Sequence, residues 1–139
     1  MKGERRIARE LVVRILYETD VSDVPSEEVL ARTLEETPLA PNNREYVEAT
    51  VRGVLGCTAA IDEKISEGSR NWRIERIARM DLAILRHSVY EVLFSDEITP
   101  AIASNEAVLL AKMYGTAESA KFINGIVGGI IRSLKKTKS

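Results

Sequence analysis

Four basic side chains and one aromatic ring near the start of the chain have the chemistry of a nucleic-acid contact. On a helix, at about 100° per residue, the four cations lie on one side: Lys2, Arg5, Arg6 and Arg9. Tyr17 continues that side. Cations can bind phosphates and a ring face can stack on a base, so this set could hold a strand of RNA. The alternative is a solvated face on which the arginine stems lie along apolar neighbours.

The segment that carries these side chains is predicted to be an amphipathic helix over residues 2–20. Its apolar side chains share another side and can enter a core: Ala8, Leu11, Val12 and Ile15. Val13 falls on the basic side between Arg9 and Tyr17, whereas Arg14 falls to the side of the helix. One helix can therefore join a core and present a basic stripe.

Charge is sorted along the chain, although the net charge is only −1. Two basic ends flank an acidic stretch over residues 17–48. If the termini meet in the fold, they form one basic patch with a separate acidic surface. The alternative for the C-terminal lysines is a solvated tail.

Composition favours an all-α fold without a sheet. The 139 residues are 45% hydrophobic but only 5% aromatic, so the core must be aliphatic. No segment alternates with a period of two, and we predict helices over about 2–20, 26–36, 42–68, 81–95, 100–114 and 117–134.

These helices are predicted to form one domain over residues 1–139, built from two small bundles over about 1–67 and 70–139. Each bundle is small for independent stability, so the two should pack together. Gly53 and Gly56 interrupt the third helix, where a neighbour packs closely or the helix bends. The glycines of the last helix predict a close helix crossing: Gly125, Gly128 and Gly129.

No group of residues has the composition and spacing of an active site or a metal site. His87 is the only histidine, and its apolar helix favours a place in the core or at an interface over a catalytic role. Cys57 is the only cysteine, which excludes an internal disulfide and fits a reducing compartment. We therefore expect no enzyme, no metal and no cofactor, and two classes remain: an RNA-binding module and a protein–protein adaptor.

The chain contains no apolar run of about 18 residues that could span a membrane. Its N-terminus is charged from Lys2 and has no apolar stretch typical of a signal peptide. We expect a cytoplasmic protein that does not contact a membrane.

Two stretches of the second half resemble the NusB family of transcription antitermination factors. Residues 79–94 (RMDLAILRHSVYEVLF) are similar to the family's signature helix. Residues 105–127 contain its Asn-Glu-Ala, Ala-Lys-x-Tyr-Gly, Ser-x-Lys-Phe and Asn-Gly elements. Residues 5–18 resemble its arginine-rich first helix. The resemblance covers nearly the whole chain and is weakest over residues 19–50.

The resemblance implies a seven-helix all-α fold and no catalysis. It implies binding of single-stranded boxA RNA from ribosomal RNA leaders together with NusE, a small-subunit ribosomal protein. The pair would join an RNA polymerase complex that resists termination. Two alternatives are an adaptor with incidental RNA affinity and an RNA-binding module of an rRNA-modification system.

The resemblance also assigns residues. The implied RNA-binding set is Arg5, Arg6, Arg9, Tyr17, Glu118, Lys121 and Phe122. Lys2 joins this set on helical geometry alone, and Asp81 matches an acidic position that faces NusE. Ile7 stands where some relatives carry another arginine, so the basic run is shorter here. Similar proteins can form a homodimer through the RNA-binding face, and the sequence leaves the oligomeric state open.

Overall fold

The computed structural model describes residues 3–69 and 73–138, which form seven α-helices and one 3₁₀ turn at Ile74–Arg76. The α-helices are α1 (Glu4–Val21), α2 (Ser26–Glu36), α3 (Pro41–Gly56), α4 (Thr58–Gly68), α5 (Arg79–Phe94), α6 (Pro100–Tyr114) and α7 (Ala117–Lys138). No strand occurs in the described ranges, so the predicted seven-helix all-α fold is confirmed. None of the described helices has the length and apolarity needed to cross a membrane.

The helices form two compact units that divide between Gly56 and Cys57. In the first unit, α1 packs against both α2 and α3. Its core is aliphatic and includes Leu11, Val12, Ile15, Val29, Val47 and Val51. Because two helices cover α1, apolar side chains occupy more than half of its circumference.

Glu4 ties the start of α3 to α1. Its Oε1 accepts hydrogen bonds from the Asn43 side-chain amide at 2.9 Å and from the Ala40 backbone N–H at 2.6 Å. These two bonds stabilise the charged carboxylate and lower the pKa of Glu4. The first turn of α3 is therefore fixed against the first turn of α1.

In the second unit, α5 packs against α4, α6 and α7. Its central side chains are fully buried, including Leu82, Ile84, Leu85 and Val89. Arg86 joins α5 to α4 through paired hydrogen bonds to Asp62 at 2.9 and 2.8 Å. His87 is also buried, with Nε2 3.0 Å from Glu91 Oε1, which confirms its predicted place in the core.

The helix predicted over residues 42–68 is two helices, α3 and α4, so the prediction of one continuous helix is wrong. The interruption is at Cys57, whose ψ of 17° departs from helical geometry. Gly53 and Gly56 precede it, and each glycine costs a helix about 1 kcal/mol relative to alanine. The division between the units follows this break, whereas the sequence placed the boundary between the bundles near residues 67–70.

The glycines of α7 do not mark a close helix crossing, so that prediction is also wrong. Among the described residues, no atom outside the adjoining backbone of α7 lies within 4 Å of a Cβ built at Gly125, and a Cβ at Gly128 meets only Arg132 of α7 itself. The buried side of α7 is instead aliphatic and includes Ile123 and Val127. The close approach lies at Gly68, where a Cβ would be 3.2 Å from Ile126 Cγ2.

Candidate nucleic-acid interface

The exposed face of α1 is narrower than the predicted basic stripe. Arg6 is exposed and Arg5 is half-buried, but Arg9 is only 6% exposed. Val13, predicted on the same side, is completely buried. Lys2 lies outside the described residues. The predicted stripe is therefore not one continuous exposed surface. The helices α2 and α3 together bury more of α1 than the apolar side that the sequence predicts.

Arg14 belongs to the exposed face, although the helical wheel places it to the side of the basic stripe. Arg6 and Arg14 are both exposed, and Tyr17 is half-buried. At 100° per residue these three side chains lie within about 80° of one another. The sequence signal for this sector is the apolar pair Val13 and Leu16, both buried, which extend the apolar arc of the helix as far as Arg6. The face that α1 presents thus combines two arginines and one ring with the half-buried carboxylate of Glu10 between them.

Tyr46 of α3 contacts two of the predicted arginines. The Arg5 guanidinium carbon lies 4.3 Å from the centroid of the Tyr46 ring, and that of Arg9 lies 5.8 Å away. Both distances fall within the range of about 6 Å in which a ring attracts a cation. No sequence pattern identifies Tyr46, because the contact depends on how α3 packs against α1.

In the second unit, three residues of the predicted site surround one groove. Asp81, Glu118 and Phe122 line a cavity of about 280 Å³ between the first turns of α5 and α7. Asp81 is the residue expected to face NusE, whereas the other two are expected to contact RNA. The residue that is predicted to contact NusE therefore lies in the same groove as two residues that are predicted to contact RNA.

A short chain of hydrogen bonds fixes Asp81 within this groove. The Ser119 hydroxyl donates to Asp81 Oδ2 at 3.1 Å, and the Ser119 backbone N–H donates to Thr116 Oγ1 at 3.1 Å. Burial raises the pKa of Asp81 because it disfavours the charged form, and the Ser119 hydrogen bond opposes part of that effect. The carboxyl group is thus held in place but partly desolvated.

Lys121 lies on a different groove, of about 740 Å³, between α6 and α7. Lys112 is also exposed there, and the amides of Asn105 and Asn124 add polar groups. No carboxylate is among the described residues that line this groove. The predicted residues of α7 are consequently divided between two grooves: Glu118 and Phe122 line one that also contains Asp81 and Arg76, whereas Lys121 lines one without carboxylates.

The predicted site as a whole is distributed over both units. Arg5, Arg6, Arg9 and Tyr17 belong to the first unit, and the predicted residues of α5 and α7 belong to the second. Within the described part of the chain, no three His, Cys, Asp or Glu side chains are grouped to hold a metal ion. The chemistry on these surfaces is that of charge, amide groups and aromatic rings.

Comparisons with known proteins agree on one family. The model of the NusB family matches residues 6–132. The chain is 41% identical over 128 residues to the transcription antitermination protein NusB of Acetivibrio thermocellus, an alignment that covers 92% of this chain and 88% of that protein.

Solved structures give the same result. T. maritima NusB has a TM-score of 0.86 and 33% sequence identity, and the match covers 95% of this chain and 93% of that one. The antitermination factors NusB and NusE in complex with dsRNA include a chain with a TM-score of 0.86 and 25% identity, which covers 96% of this chain and 99% of that one.

Proposed function

The chain belongs to the NusB family, and we propose that it is a transcription antitermination factor that binds RNA together with NusE. The match to the family over residues 6–132 carries this proposal. The likeness to NusB in a complex with NusE and dsRNA supports both partners. The protein acts within an RNA polymerase complex, in the cytoplasm, and without catalysis.

The RNA ligand is a single-stranded boxA-like element. Exposed Arg6 and half-buried Tyr17 support this choice, because a cation for the phosphates and a ring for a base suit an unpaired strand. The related complex contains dsRNA, so a test must compare the two forms of the same sequence.

The proposed RNA-binding residues are those of the first helix and the start of the last. They are Arg5, Arg6, Arg9, Tyr17, Glu118, Lys121 and Phe122, with Lys2 on the sequence alone. Asp81 is the proposed contact to NusE. It shares a groove with Glu118, and two carboxylates against the one arginine there, Arg76, support this role, since a basic ribosomal protein is attracted to a net negative surface.

A binding titration with labelled boxA RNA, in the presence and absence of NusE and over a series of salt concentrations, tests the proposal. Affinity should fall steeply with salt, because bound cations release counterions from the RNA. Arg6→Ala should lower the slope of log K against log salt by about 0.7 to 1. Single-stranded RNA should bind more tightly than its duplex.

Arg52→Ala is the matched control for the Arg6 variant. It removes the same charge from the same unit, at a residue outside the proposed RNA-binding set, and Arg52 is held by Glu27 through hydrogen bonds of 2.8 and 3.1 Å. Its salt slope should equal that of the unmodified protein. If the unmodified protein binds neither RNA form, with or without NusE, the proposed function is wrong. If only the Arg6 slope is unchanged, the assignment of Arg6 is wrong.

The same titration distinguishes the adaptor alternative. In an antitermination factor that binds both partners cooperatively, RNA and NusE should tighten each other's binding by the same factor, as linkage requires. An adaptor would bind NusE with an affinity that RNA does not change. That second outcome would contradict the RNA-binding role.

A further inference from the structure

We propose that the groove between α6 and α7 binds the stretch of single-stranded RNA that adjoins the boxA-like element. The groove is lined by Lys112 and Lys121, which contact the phosphates, and by Asn105 and Asn124, whose amides contact bases or sugars. This inference rests on the proposed function and deepens it. Of these four residues only Lys121 belongs to the proposed RNA-binding set, so the groove adds three residues and a longer RNA ligand.

Two lysines give the groove a positive charge that no acid neutralises. Lys112 lies near the end of α6 and Lys121 near the start of α7, and both side chains are exposed. Neither ammonium group pairs with a carboxylate in the part of the chain that the structure describes. Arg86 of the same unit, by contrast, is paired with Asp62 at 2.8 Å. The two lysines are therefore available for the phosphates of an incoming strand.

The carboxylates of the two helices lie elsewhere. Glu106 is the only acid of α6 and is 8% exposed, and Glu118, the only acid of α7, lines the neighbouring groove with Asp81. No carboxylate is among the described residues that line the α6–α7 groove. A concave surface lined by charge of one sign focuses the field and attracts a polyanion. The groove therefore suits a nucleic-acid strand better than it suits a basic protein such as NusE.

Two amides supply the hydrogen-bonding groups that an unpaired strand requires. Asn105 and Asn124 are both exposed on the groove. Asn124 Oδ1 accepts a hydrogen bond from the Ser104 hydroxyl at 3.5 Å, which leaves the amide N–H donors of Asn124 for a ligand. An amide both donates and accepts, so it can bind the edge of a base as well as a phosphate or sugar oxygen. The polar groups of the groove thus match the mixed chemistry of a nucleotide.

The groove adjoins residues of the proposed RNA-binding set. Thr116 lines both this groove and the one that contains Glu118 and Phe122. Lys121 and Phe122 are consecutive on α7, so their side chains leave the helix about 100° apart and line different grooves. A strand that contacts both residues passes from one groove to the other across the start of α7. The volume of the α6–α7 groove, about 740 Å³, then leaves room for the adjoining nucleotides.

The test measures the affinity of three labelled RNAs for the full chain in the presence of NusE. One RNA is the boxA element alone, and the other two carry a short run of uridines at its 5′ end or at its 3′ end. One of the two extensions should tighten binding by about 5-fold in about 0.1 M salt, because each phosphate contact adds about 0.7 to the slope of log K against log salt.

Variants of the groove should lose this gain in affinity. Lys112→Ala should lower the gain by about 5-fold and the added salt slope by about 0.7. Asn124→Asp keeps the shape and the acceptor for Ser104, but its carboxylate repels a phosphate, so the gain should fall there too. Lys135→Ala is the matched control, because it removes the same charge from an exposed position of α7 outside the groove and should keep the whole gain. Circular dichroism and thermal unfolding establish that the compared proteins are folded.

Several outcomes would overturn the inference. They are the absence of a gain from either extension, a gain that survives in Lys112→Ala or Asn124→Asp, and an equal loss in Lys135→Ala, which would indicate general electrostatic attraction. Weaker binding of NusE to Lys112→Ala in the absence of RNA would instead assign the groove to that protein. Failure of the unmodified protein to bind boxA RNA would contradict the proposed function, whereas normal boxA binding without any gain would contradict only the role of the groove.

Discussion

Asp81 lies where a partner is expected to bind, and that position affects the stability of the fold. Its carboxyl group is partly buried between α5 and α7 and accepts one hydrogen bond from Ser119. Because burial raises its pKa, the folded state holds the Asp81 proton more tightly than the unfolded state does. The stability that this residue contributes is therefore complete below its unfolded pKa and is lost as the pH rises through the folded pKa.

Asp81→Asn should consequently raise the Tm at neutral pH, and the gain should shrink as the pH falls through the raised pKa of folded Asp81 and be gone below the ordinary pKa of aspartate. The amide oxygen can still accept the Ser119 hydrogen bond, so the change mainly removes the cost of the buried charge. Thermal unfolding over a pH series measures this effect. Asp96→Asn, at an exposed carboxylate of the same unit, is the control. A lower Tm for Asp81→Asn at neutral pH would contradict the interpretation.

Helical periodicity predicts the solvent exposure of a candidate-site residue well only where that exposure depends on the residue's own helix alone. Arg6 and Tyr17 reach solvent as the wheel suggests. The burial of Arg9 and the contact with Tyr46 depend on the packing of α3 against α1, which no spacing within α1 encodes. Residue types thus predict a chemistry for this surface, but tertiary contacts decide which arginine is exposed to solvent.

At the scale of elements, the break between α3 and α4 shows a limit of periodicity. Val51, Val54, Ile61 and Ile65 are all buried and keep helical spacing across the interruption at Cys57. One non-helical residue changes the spacing of these four apolar residues so little that the sequence pattern does not reveal the break. Glycine content was the only local signal, and it could not distinguish a break from a close helix contact.

Two glycine substitutions should have opposite effects on stability. Gly125→Ala should stabilise the protein by up to about 1 kcal/mol, because alanine favours the helix and its Cβ meets no described atom within 4 Å. Gly68→Ala should destabilise it by about 1 kcal/mol, since the new Cβ would lie 3.2 Å from Ile126, whose buried side chain has little room to move.

Urea unfolding of both glycine variants measures these free energies. Each variant is the control for the other, because the chemical change is identical and only the surroundings differ. Destabilisation by Gly125→Ala would indicate a contact at that face, and a neutral Gly68→Ala would mean that Ile126 relaxes easily.

At the scale of the whole molecule, the fold class was predictable because the aliphatic content and the absence of a period of two leave few alternatives to helices. The division into two units was less predictable. It falls at Gly56–Cys57, inside a stretch that keeps one helical pattern. The division follows a local change in backbone geometry, which hydrophobic spacing does not record.

We expect the two units to unfold in a single cooperative transition, as one domain over residues 1–139 would. A unit of about 60 residues buries too small a fraction of its surface to be more than marginally stable. Differential scanning calorimetry should therefore give one peak, with a calorimetric enthalpy equal to the van't Hoff enthalpy. Two resolved peaks would show that the units unfold independently and would contradict the single-domain prediction.

The hydrogen bonds around Glu4 also reduce the effective negative charge of α1. Glu4 uses its carboxylate to accept hydrogen bonds from Ala40 and Asn43, and Glu18, near the other end of α1, is paired with Arg32. The field of each acid is partly offset by its own donors before any ligand approaches. A sum of formal charges therefore overstates the repulsion that these two acids of α1 exert on a polyanion.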